Sequence, residues 1–506
     1  MKHFLVNDNL FYAANPQVKK NTFIGAPLKT GPLPTYESAK SALPRPFWEG
    51  HESAVACHDK AWQIGFGNLR NANAEAGFVS DFIDTAFNGY LFMWDSSFIV
   101  MFGKYGSRAF EFQSTLDNFY SHQHRDGFIC REICESQPGE QFTRDDPAST
   151  GPNVLPWAEW EYYCSTADKE RLARVFDPLC AYHRWLQLNR SWQDGSYYSC
   201  GLACGMDNQP RQTPGYNHNL SHGFMSWIDT CAQQYLSGDI LCKMAKELGR
   251  EEEVGWLREE ADMLRQVITD TMWDEEMAFY FDKRRDGSLS GVKTVGAYWT
   301  LLAGIVPEER RERFIGHLRN PAEFARPNRI PTLSADDPNY RPDGGYWLGG
   351  VWAPTNYMVL QGLSRCGETD LCFEIARDYL QNVVKVFEQA GTVYENYAPE
   401  SAEPGNPAAS DFVGWTGLAP ISILYEDVFG IRPDAQAKQI DWTIRLTDAF
   451  GIDNYPLGDA TLSLRCEKRG SESERPVVTI RSDKPVTVTI RWQDGEETIA
   501  VPAATL

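Results

Sequence analysis

Hydrophobic positions recur with a helical period through most of the chain, from about residue 47 to residue 432. Apolar residues three and four positions apart mark the buried face of an amphipathic helix. Such stretches predict helices at 107–122, 167–190, 221–248, 251–273, 293–304, 308–318, 350–363 and 368–390. Loops rich in Gly, Pro, Trp and Asp separate them, at 125–156, 196–219, 331–349 and 391–414. Loops of this length in a compact domain usually carry function, so we expect a site among them.

The pattern changes near residue 439, where polar and apolar residues begin to alternate. Alternation at 440–446, 461–465, 477–480 and 486–492 predicts strands, and Asp494-Gly495 predicts a hairpin turn. Because so few strands bury little surface alone, we expect them to pack on the helical part. The first 46 residues are irregular and punctuated by Pro and Gly. The predicted organisation is an N-terminal wrapping segment (1–46), a helical domain (47–438) and a small β region (439–506).

The composition argues against two classes of partner. The formal net charge is −21 and the isoelectric point is near 4.9. Binding to nucleic acid or to an anionic membrane surface needs basic patches instead. No apolar run approaches the roughly 18 residues of a transmembrane helix, and the N-terminus lacks the apolar core of a signal peptide. We therefore expect a cytoplasmic protein with no nucleic-acid and no membrane partner.

The cysteines do not predict a metal site. The chain has 12 of them, scattered and without a CxxC pair. Cys130/Cys134 and Cys200/Cys204 are spaced by four residues, but neither pair has a matching second pair or a histidine partner. We expect reduced, buried thiols, no metal and no cofactor. The oligomeric state stays open, a homo-oligomer included.

Two short segments carry candidate catalytic carboxylates. Asp207 lies in GMDNQPR and Glu395 lies in YENY, each among aromatic, amide, glycine or proline residues. Glycoside hydrolysis needs two carboxyl groups, because one protonates the leaving oxygen while the other activates water or attacks the sugar. Gly205 and Pro210 predict a tight loop around Asp207. The residues alone leave open a turn-forming role for Asp207 and a solvated loop position for Glu395.

Aromatic residues are candidates for the walls of a sugar site. In GYLFMWDSSF, Trp94 and Asp95 suit a sugar subsite, with an aromatic core and a helix cap as the alternative. The stretch GGYWLGGVWAPTNY interrupts large aromatic residues with glycines, which let a ligand approach the backbone closely. The candidates are Trp94, Asp95, Trp157, Tyr346, Trp347, Trp352 and Trp415.

Taken in order, seven segments resemble glycoside hydrolase family 63 and the related trehalases of family 37. They are MWDSSF, DGFICREI, LPWAEWEYY, GMDNQPR, YWLGGVWAPTNY, YENY and GWTGL. The resemblance covers roughly residues 92–430 and is strongest to the short bacterial members that include mannosylglycerate and glucosylglycerate hydrolases. Each motif alone is weak, but seven in one order are specific.

The resemblance implies an (α/α)6 barrel with a catalytic funnel at one end and a small C-terminal β region packed on it. It implies hydrolysis of an α-glycosidic bond with inversion, with Asp207 as general acid and Glu395 as general base. It places Trp94 and Asp95 in the sugar subsite. It also implies that the walls of the site are formed by Trp157, Trp347, Trp352 and Trp415. We expect further substrate contacts from Arg131, Glu132, Asn208, Arg211, Tyr346 and Tyr394.

One segment departs from the family's pattern. Relatives carry Gln-Pro-Pro before the tryptophan that matches Trp157, whereas this chain has Gly151-Pro152-Asn153 and, earlier, Ser-Gln-Pro-Gly at 136–139. This departure leaves the identity of the aglycone open, so neither trehalose nor a glycerate conjugate is assigned as the substrate. The expected function is an inverting α-glycosidase acting on a small α-linked glucoside or mannoside. Two alternatives remain, a sugar isomerase or epimerase that uses histidine acid–base groups and a non-catalytic sugar-binding toroid.

Overall fold

The computed structural model describes residues 14–85, 89–135 and 139–504, and its fold is mainly helical with a strand region at the C-terminal end. The α-helices are α1 (Tyr36–Ala39), α2 (Glu52–Gly67), α3 (Met93–Gly103), α4 (Asp117–Ser121), α5 (Leu155–Thr166), α6 (Lys169–Asn189), α7 (Gly201–Cys204), α8 (Ile228–Leu248), α9 (Gly255–Thr271), α10 (Trp299–Ala303), α11 (Glu308–Gly316), α12 (Ala353–Arg365) and α13 (Thr369–Ala390). A π-helix, Ala419–Val428, follows α13 in sequence. Within these described ranges no helix is long and apolar enough to cross a membrane.

Six of the eight predicted helices are observed as α-helices at the predicted places. Those at 167–190 and 368–390 correspond closely to α6 and α13, and α8 begins at Ile228 rather than at 221. The prediction of one continuous helix is wrong at 107–122 and at 293–304, because each stretch forms a 3-10 helix, Phe112–Leu116 or Val295–Tyr298, followed by a short α-helix, α4 or α10. The predicted set lacks α1, α2, α3, α5, α7 and the π-helix.

The contacts among six helices form a closed ring. Each helix contacts the next in the order α3, α5, α8, α10, α12 and the π-helix, and the π-helix contacts α3 again. A second layer packs outside: α6 against α5 and α8, α9 against α8, and α13 against α12 and the π-helix. The ring helices are therefore covered on most sides. Every residue of α3 except Asp95 is buried, as is the whole π-helix.

Buried charges connect the π-helix to its neighbours. The Glu426 carboxylate accepts hydrogen bonds from the hydroxyls of Tyr105 (2.7 Å) and Tyr357 (2.8 Å), and Lys104 Nζ lies 3.1 Å away. Burial raises the pKa of Glu426, but Lys104, Arg432 and the two hydroxyls together hold it below its usual value. A buried carboxylate with this many partners stays ionised, and here it ties the π-helix to α12 and to the segment after α3.

In the described part of the chain, the strands form two four-stranded sheets and three short pairs. They are β1 (Arg45–Trp48), β2 (Leu69–Arg70), β3 (Phe82–Ile83), β4 (Tyr90–Phe92), β5 (Glu132–Cys134), β6 (Trp273–Asp274), β7 (Phe279–Tyr280), β8 (Ile431–Asp434), β9 (Gln439–Thr443), β10 (Phe450–Leu457), β11 (Ala460–Cys466), β12 (Val478–Ser482), β13 (Val486–Trp492) and β14 (Gly495–Val501). The larger sheets have the orders β1-β10-β11-β12 and β14-β13-β9-β8. Their neighbouring strands are antiparallel except for β9 and β13, which run parallel.

The β region packs on the helical part. Strands β8 and β10 contact α5, and the indole N–H of Trp442 in β9 donates to the carbonyl of Phe429 just after the π-helix (2.9 Å). Strand β1, which precedes the six ring helices in sequence, pairs with β10 from Arg45↔Asp453 to Trp48↔Phe450. Segments from before and after the ring helices therefore share one sheet.

Candidate active site

A cavity of about 360 Å³ lies where the N-terminal end of α3 meets the loops that follow β5, α7, α11 and α13. It is lined by Phe92, Met93, Trp94, Asp95, Arg131, Glu132, Gly151, Leu202, Gly205, Asp207, Tyr346, Trp347, Glu395, Phe412 and Trp415. The lining combines four carboxyl groups, one guanidinium group and six aromatic rings. Such a mixture of flat apolar surface and convergent polar groups suits a sugar.

Asp207 is brought to the cavity by a tight turn after α7. Gly205 ends this helix with φ of +80°, and a Cβ atom at this position would lie 2.9 Å from the Trp94 ring. Glycine is therefore required here both by the backbone conformation and by the close approach. Burial raises the pKa of Asp207 to about 6, with Arg131 opposing part of the shift. A carboxyl group with this pKa is protonated in mildly acidic solution, as a general acid must be.

Glu395 is fixed by hydrogen bonds at its backbone and at its side chain. Its N–H donates to the carbonyl of Ala409 (2.9 Å), and the N–H of Ala409 donates to Glu395 Oε2 (3.1 Å). The indole N–H of Trp415 donates to the carbonyl of Glu395 (2.8 Å). Burial raises the pKa of Glu395, the Ala409 N–H lowers it, and the charge of Asp207 raises it further. The two carboxylates are thus close enough to interact electrostatically.

Asp95 lies in the first turn of α3 and faces the same cavity. Burial holds its pKa well above the usual value, and the charges of Asp207 and Glu395 add to the shift while Arg131 opposes it. Three carboxyl groups therefore share one poorly hydrated space. They cannot all be ionised at low cost, so their protonation is coupled.

Arg131 contributes a positively charged guanidinium group to the lining of the cavity. Its Nε donates to the carbonyl of Ala148 (2.7 Å), its guanidinium lies 4.6 Å from the centre of the Phe142 ring, and its Nη2 lies 3.4 Å from Glu132. Burial raises the pKa of Glu132, and Arg131 opposes this. Pairing of β5 with β4 sets Glu132 opposite Phe92 and so brings both residues to the cavity.

The glycine-rich stretch at 344–357 forms one wall of the cavity, and this wall has two layers. Trp347 lines the cavity, and Trp352 stacks directly behind it with ring centroids 3.8 Å apart and planes 6° from parallel. Trp352 is fully buried, and its indole N–H donates to the carbonyl of Tyr346 (3.2 Å). Of the two tryptophans expected to face the sugar, Trp347 lines the cavity, whereas Trp352 lies behind it and supports the wall.

Several residues predicted to touch substrate do not line the cavity. Arg211 is fully buried, and its guanidinium donates to both oxygens of Asp229 and of Asp282, at 2.6–2.9 Å. With its donors engaged, Arg211 has a structural role in place of the expected substrate contact. Trp157 is likewise buried, stacked on Tyr357. Asn208 and Tyr394 also lie outside the lining.

The cavity includes residues that the sequence did not single out for a site: Phe92, Met93, Gly151, Leu202, Gly205 and Phe412. Phe412 lies three residues before Trp415, and Phe92 directly precedes the MWD motif, so proximity to a motif was the available signal.

Of the Ser-Gln-Pro-Gly stretch at 136–139, residues 136–138 lie outside the described residues. In the part of the chain that is described, no group of three or more His, Cys, Asp or Glu side chains is placed to hold a metal ion.

Comparison with known proteins assigns the family. Residues 89–416 match the model of the mannosylglycerate hydrolase MGH1-like glycoside hydrolase domain. The chain belongs to this family of glycoside hydrolases. The matched range contains the whole cavity lining, and the resemblance to family 63 drawn from the motifs is confirmed.

Individual relatives are distant. An uncharacterized protein of Borreliella burgdorferi is 24% identical over 424 residues, which are 81% of this chain and 85% of the relative. A probable mannosyl-oligosaccharide glucosidase of Schizosaccharomyces pombe is 26% identical over 64% of this chain, and the match covers 40% of that relative's length. The crystal structure of a GH63 mannosylglycerate hydrolase from Thermus thermophilus in complex with glucose shares the fold, with a TM-score of 0.59 and 20% identity over 72% of this chain and 99% of that one.

Proposed function

We propose that this glycoside hydrolase is an inverting α-glycosidase that acts on a small α-linked glucoside or mannoside. Asp207 and Glu395 come from distant segments of the chain, line one cavity, and each have a pKa raised by burial. This joint placement is the observation that carries the proposal. The activities named for two relatives, a mannosylglycerate hydrolase and a probable mannosyl-oligosaccharide glucosidase, support the choice of sugars.

The proposed fold is an (α/α)6 barrel with the site at one end of it. The closed sequence of contacts from α3 round to the π-helix supports this, as does the outer layer formed by α6, α9 and α13. The likeness to the Thermus thermophilus structure supports the same fold. In such a barrel the loops at one end of the inner helices form a funnel, and Asp207 and Glu395 come from loops of this kind.

In the proposed mechanism Asp207 donates its proton to the glycosidic oxygen as the bond to the anomeric carbon breaks. Glu395 accepts a proton from a water molecule, which attacks the anomeric carbon from the opposite face. The Ala409 N–H that bonds to Glu395 Oε2 favours the ionised carboxylate and leaves the other oxygen for water. Trp347 and Trp415 supply flat surfaces for the sugar ring.

A hydrolysis screen tests the proposal. The substrates are trehalose, kojibiose, nigerose, maltose, glucosylglycerate and mannosylglycerate, and the measurement is the release of free glucose or mannose. We expect release from at least one of them by the wild type, and a loss of order 10²–10⁴ in Asp207→Asn and Glu395→Gln. Turnover of free sugars without cleavage of any glycoside would favour an isomerase or epimerase, and saturable sugar binding without any product would favour the non-catalytic toroid.

We also propose a cytoplasmic location and a small carbohydrate as the partner. The location rests on the scattered, free cysteines. The carbohydrate partner rests on the polar, aromatic cavity.

A further inference from the structure

The loop that carries Tyr346 is held on both sides of this residue by one side chain. Asn208 Nδ2 donates to the carbonyl of Gly345 (3.0 Å), and the backbone N–H of Trp347 donates to Asn208 Oδ1 (2.9 Å). The amide group of an asparagine presents one donor side and one acceptor side, and here each side has a backbone partner. Asn208 thus binds the peptide groups that flank Tyr346 much as a neighbouring strand would.

The backbone at Tyr346 needs such support. Its φ of +67° lies in the left-handed region, which a bulky residue adopts only when its surroundings hold it there. The carbonyl of Tyr346 accepts the indole N–H of Trp352 (3.2 Å), which adds a third restraint. Strained backbone held by several hydrogen bonds is typical of positions where a side chain must be aimed accurately.

Tyr346 points into the proposed catalytic site. Its side chain lines the cavity, and burial together with the charges of Asp207, Glu395 and Asp95 raises the pKa of its hydroxyl. The phenol therefore lies near Asp95 and near both carboxyl groups that the mechanism would use, Asp207 and Glu395. Its placement relative to Asp207 is set by the peptide that carries it, and this is the peptide that Asn208 holds.

We infer that Asn208 is a positioning residue that fixes the segment of the acid Asp207 to the Tyr346–Trp347 wall. It follows Asp207 directly in sequence and lies outside the cavity lining, so it acts through the loop rather than on the sugar. Through Asn208, the acid and the wall are held as one unit although they are far apart in sequence. The inference rests on the proposed function and replaces the substrate contact expected for Asn208.

The kinetic test compares Asn208→Ala with a matched control. Asn118 also bridges backbone groups, accepting from the N–H groups of Val79 (2.9 Å) and Ser80 (3.1 Å) and donating to Ser80 O (3.0 Å). It is buried, whereas Asn208 is half-buried, and it lies away from the cavity. We expect kcat to fall about 10–100-fold in Asn208→Ala with a smaller change in KM, because small misplacements of catalytic groups have effects of this size. Asn118→Ala is expected to lower the melting temperature and leave kcat unchanged. Wild-type kcat and KM in folded Asn208→Ala would overturn the inference.

A double-mutant cycle separates positioning from direct contact. If Asn208 acts through the loop, removal of the Tyr346 ring takes away much of what it positions, so Asn208→Ala has a smaller effect on kcat/KM in the Tyr346→Ala background than in the wild type. Equal effects in both backgrounds would contradict this role and indicate that Asn208 acts on its own.

Amide hydrogen exchange gives a readout that does not depend on activity. We expect peptides covering 343–350 to exchange faster in Asn208→Ala and not in Asn118→Ala, because the restraints on both sides of Tyr346 are lost. Unchanged exchange in 343–350 would overturn the inferred restraint. If the wild type cleaves no substrate of the screen, the proposed function fails, and exchange still decides whether Asn208 holds the loop.

Discussion

The indole N–H of Trp415 donates a hydrogen bond to the backbone carbonyl of Glu395 at 2.8 Å, while the Trp415 ring lines the cavity that holds the Glu395 carboxylate. The Ala409 backbone binds the same residue at its N–H and at Oε2. Glu395 is therefore restrained at its N–H, its carbonyl and its side chain. Trp415 contributes both a wall for a sugar and a restraint on the proposed base.

Trp415→Phe separates these two contributions, because phenylalanine keeps an aromatic ring and loses the N–H. We expect kcat to fall about 10-fold, since the carbonyl of Glu395 loses its partner and the base shifts. Trp442→Phe is the matched control, because it removes a similar indole bond, to Phe429 O at 2.9 Å, between β9 and the end of the π-helix and away from the cavity. The control is expected to lower the melting temperature without changing kcat. Equal kcat losses in both variants would contradict a specific role for the Trp415 bond.

The fold could be predicted from sequence where helices have a polar face. Helix α13 buries one side and exposes the other, and its predicted and observed bounds agree closely. Helix α3 was missed because neighbours surround it, so its residues are apolar on nearly all sides and show no helical period. The π-helix was missed as well and is buried along its whole length. Of the six ring helices, α8, α10 and α12 overlap predicted stretches, so amphipathic patterning reveals only part of the ring.

The site could be predicted where a motif carries its own chemistry. Asp95, Asp207 and Glu395 were expected in one site, and the structure brings them to one cavity. Arg211 was misplaced because its partners, Asp229 and Asp282, are contributed by other segments, and no local pattern reveals that they engage its guanidinium. Tertiary ion pairs of this kind are set by the fold and not by the motif.

The stacked pair Trp347 and Trp352 predicts two different effects of substitution. Trp347→Ala removes a ring that lines the cavity, so KM should rise or kcat fall, and because Trp347 is only 2% exposed its loss should also lower stability. Trp352→Ala empties a fully buried position behind the wall and should cost about 3–5 kcal/mol of unfolding free energy, with a smaller kinetic effect. Steady-state kinetics and chemical denaturation measure the two effects. Unchanged kcat and KM in folded Trp347→Ala would contradict its place in the wall of the site.

The pKa of Asp207 predicts a decline in activity on the alkaline side. Burial raises this pKa to about 6, so the proton needed for general acid catalysis is lost as the pH rises through this value. We therefore expect kcat/KM to fall above about pH 6. On the acidic side, activity is lost as Glu395 is protonated, and because burial raises the pKa of Glu395, this loss should occur at a higher pH than for an ordinary glutamate. The profile of kcat/KM against pH measures both limbs. A flat profile to well above neutral pH would contradict Asp207 as the acid.

The same shift predicts that Asp207→Asn stabilises the fold. The pKa of Asp207 is raised from 3.8 to about 6, so ionised Asp207 destabilises the folded state. The penalty is absent below the ordinary pKa and complete above the folded value, because only the ionised form carries it. Each pKa unit is worth about 1.4 kcal/mol, so the variant gains at most about 3 kcal/mol near neutral pH and almost nothing near pH 3.5. Denaturation at both pH values measures it, and an equal gain at both would contradict the electrostatic cause.

The stereochemistry of hydrolysis tests the division of roles between Asp207 and Glu395. An inverting enzyme leaves room for a water molecule between the base and the anomeric carbon, with carboxyl groups about 6.5–9.5 Å apart, whereas a retaining pair lies about 5–5.5 Å apart. In the proposed mechanism Glu395 activates this water, so an α-glycoside should release the β-anomer first. Proton NMR in the first minutes of the reaction identifies the anomer before mutarotation mixes the two forms. Glu395→Gln provides the control, because it should yield neither anomer at the wild-type rate. Early release of the α-anomer, or a covalent glycosyl group trapped on Glu395, would instead make Glu395 a nucleophile and the enzyme a retaining one.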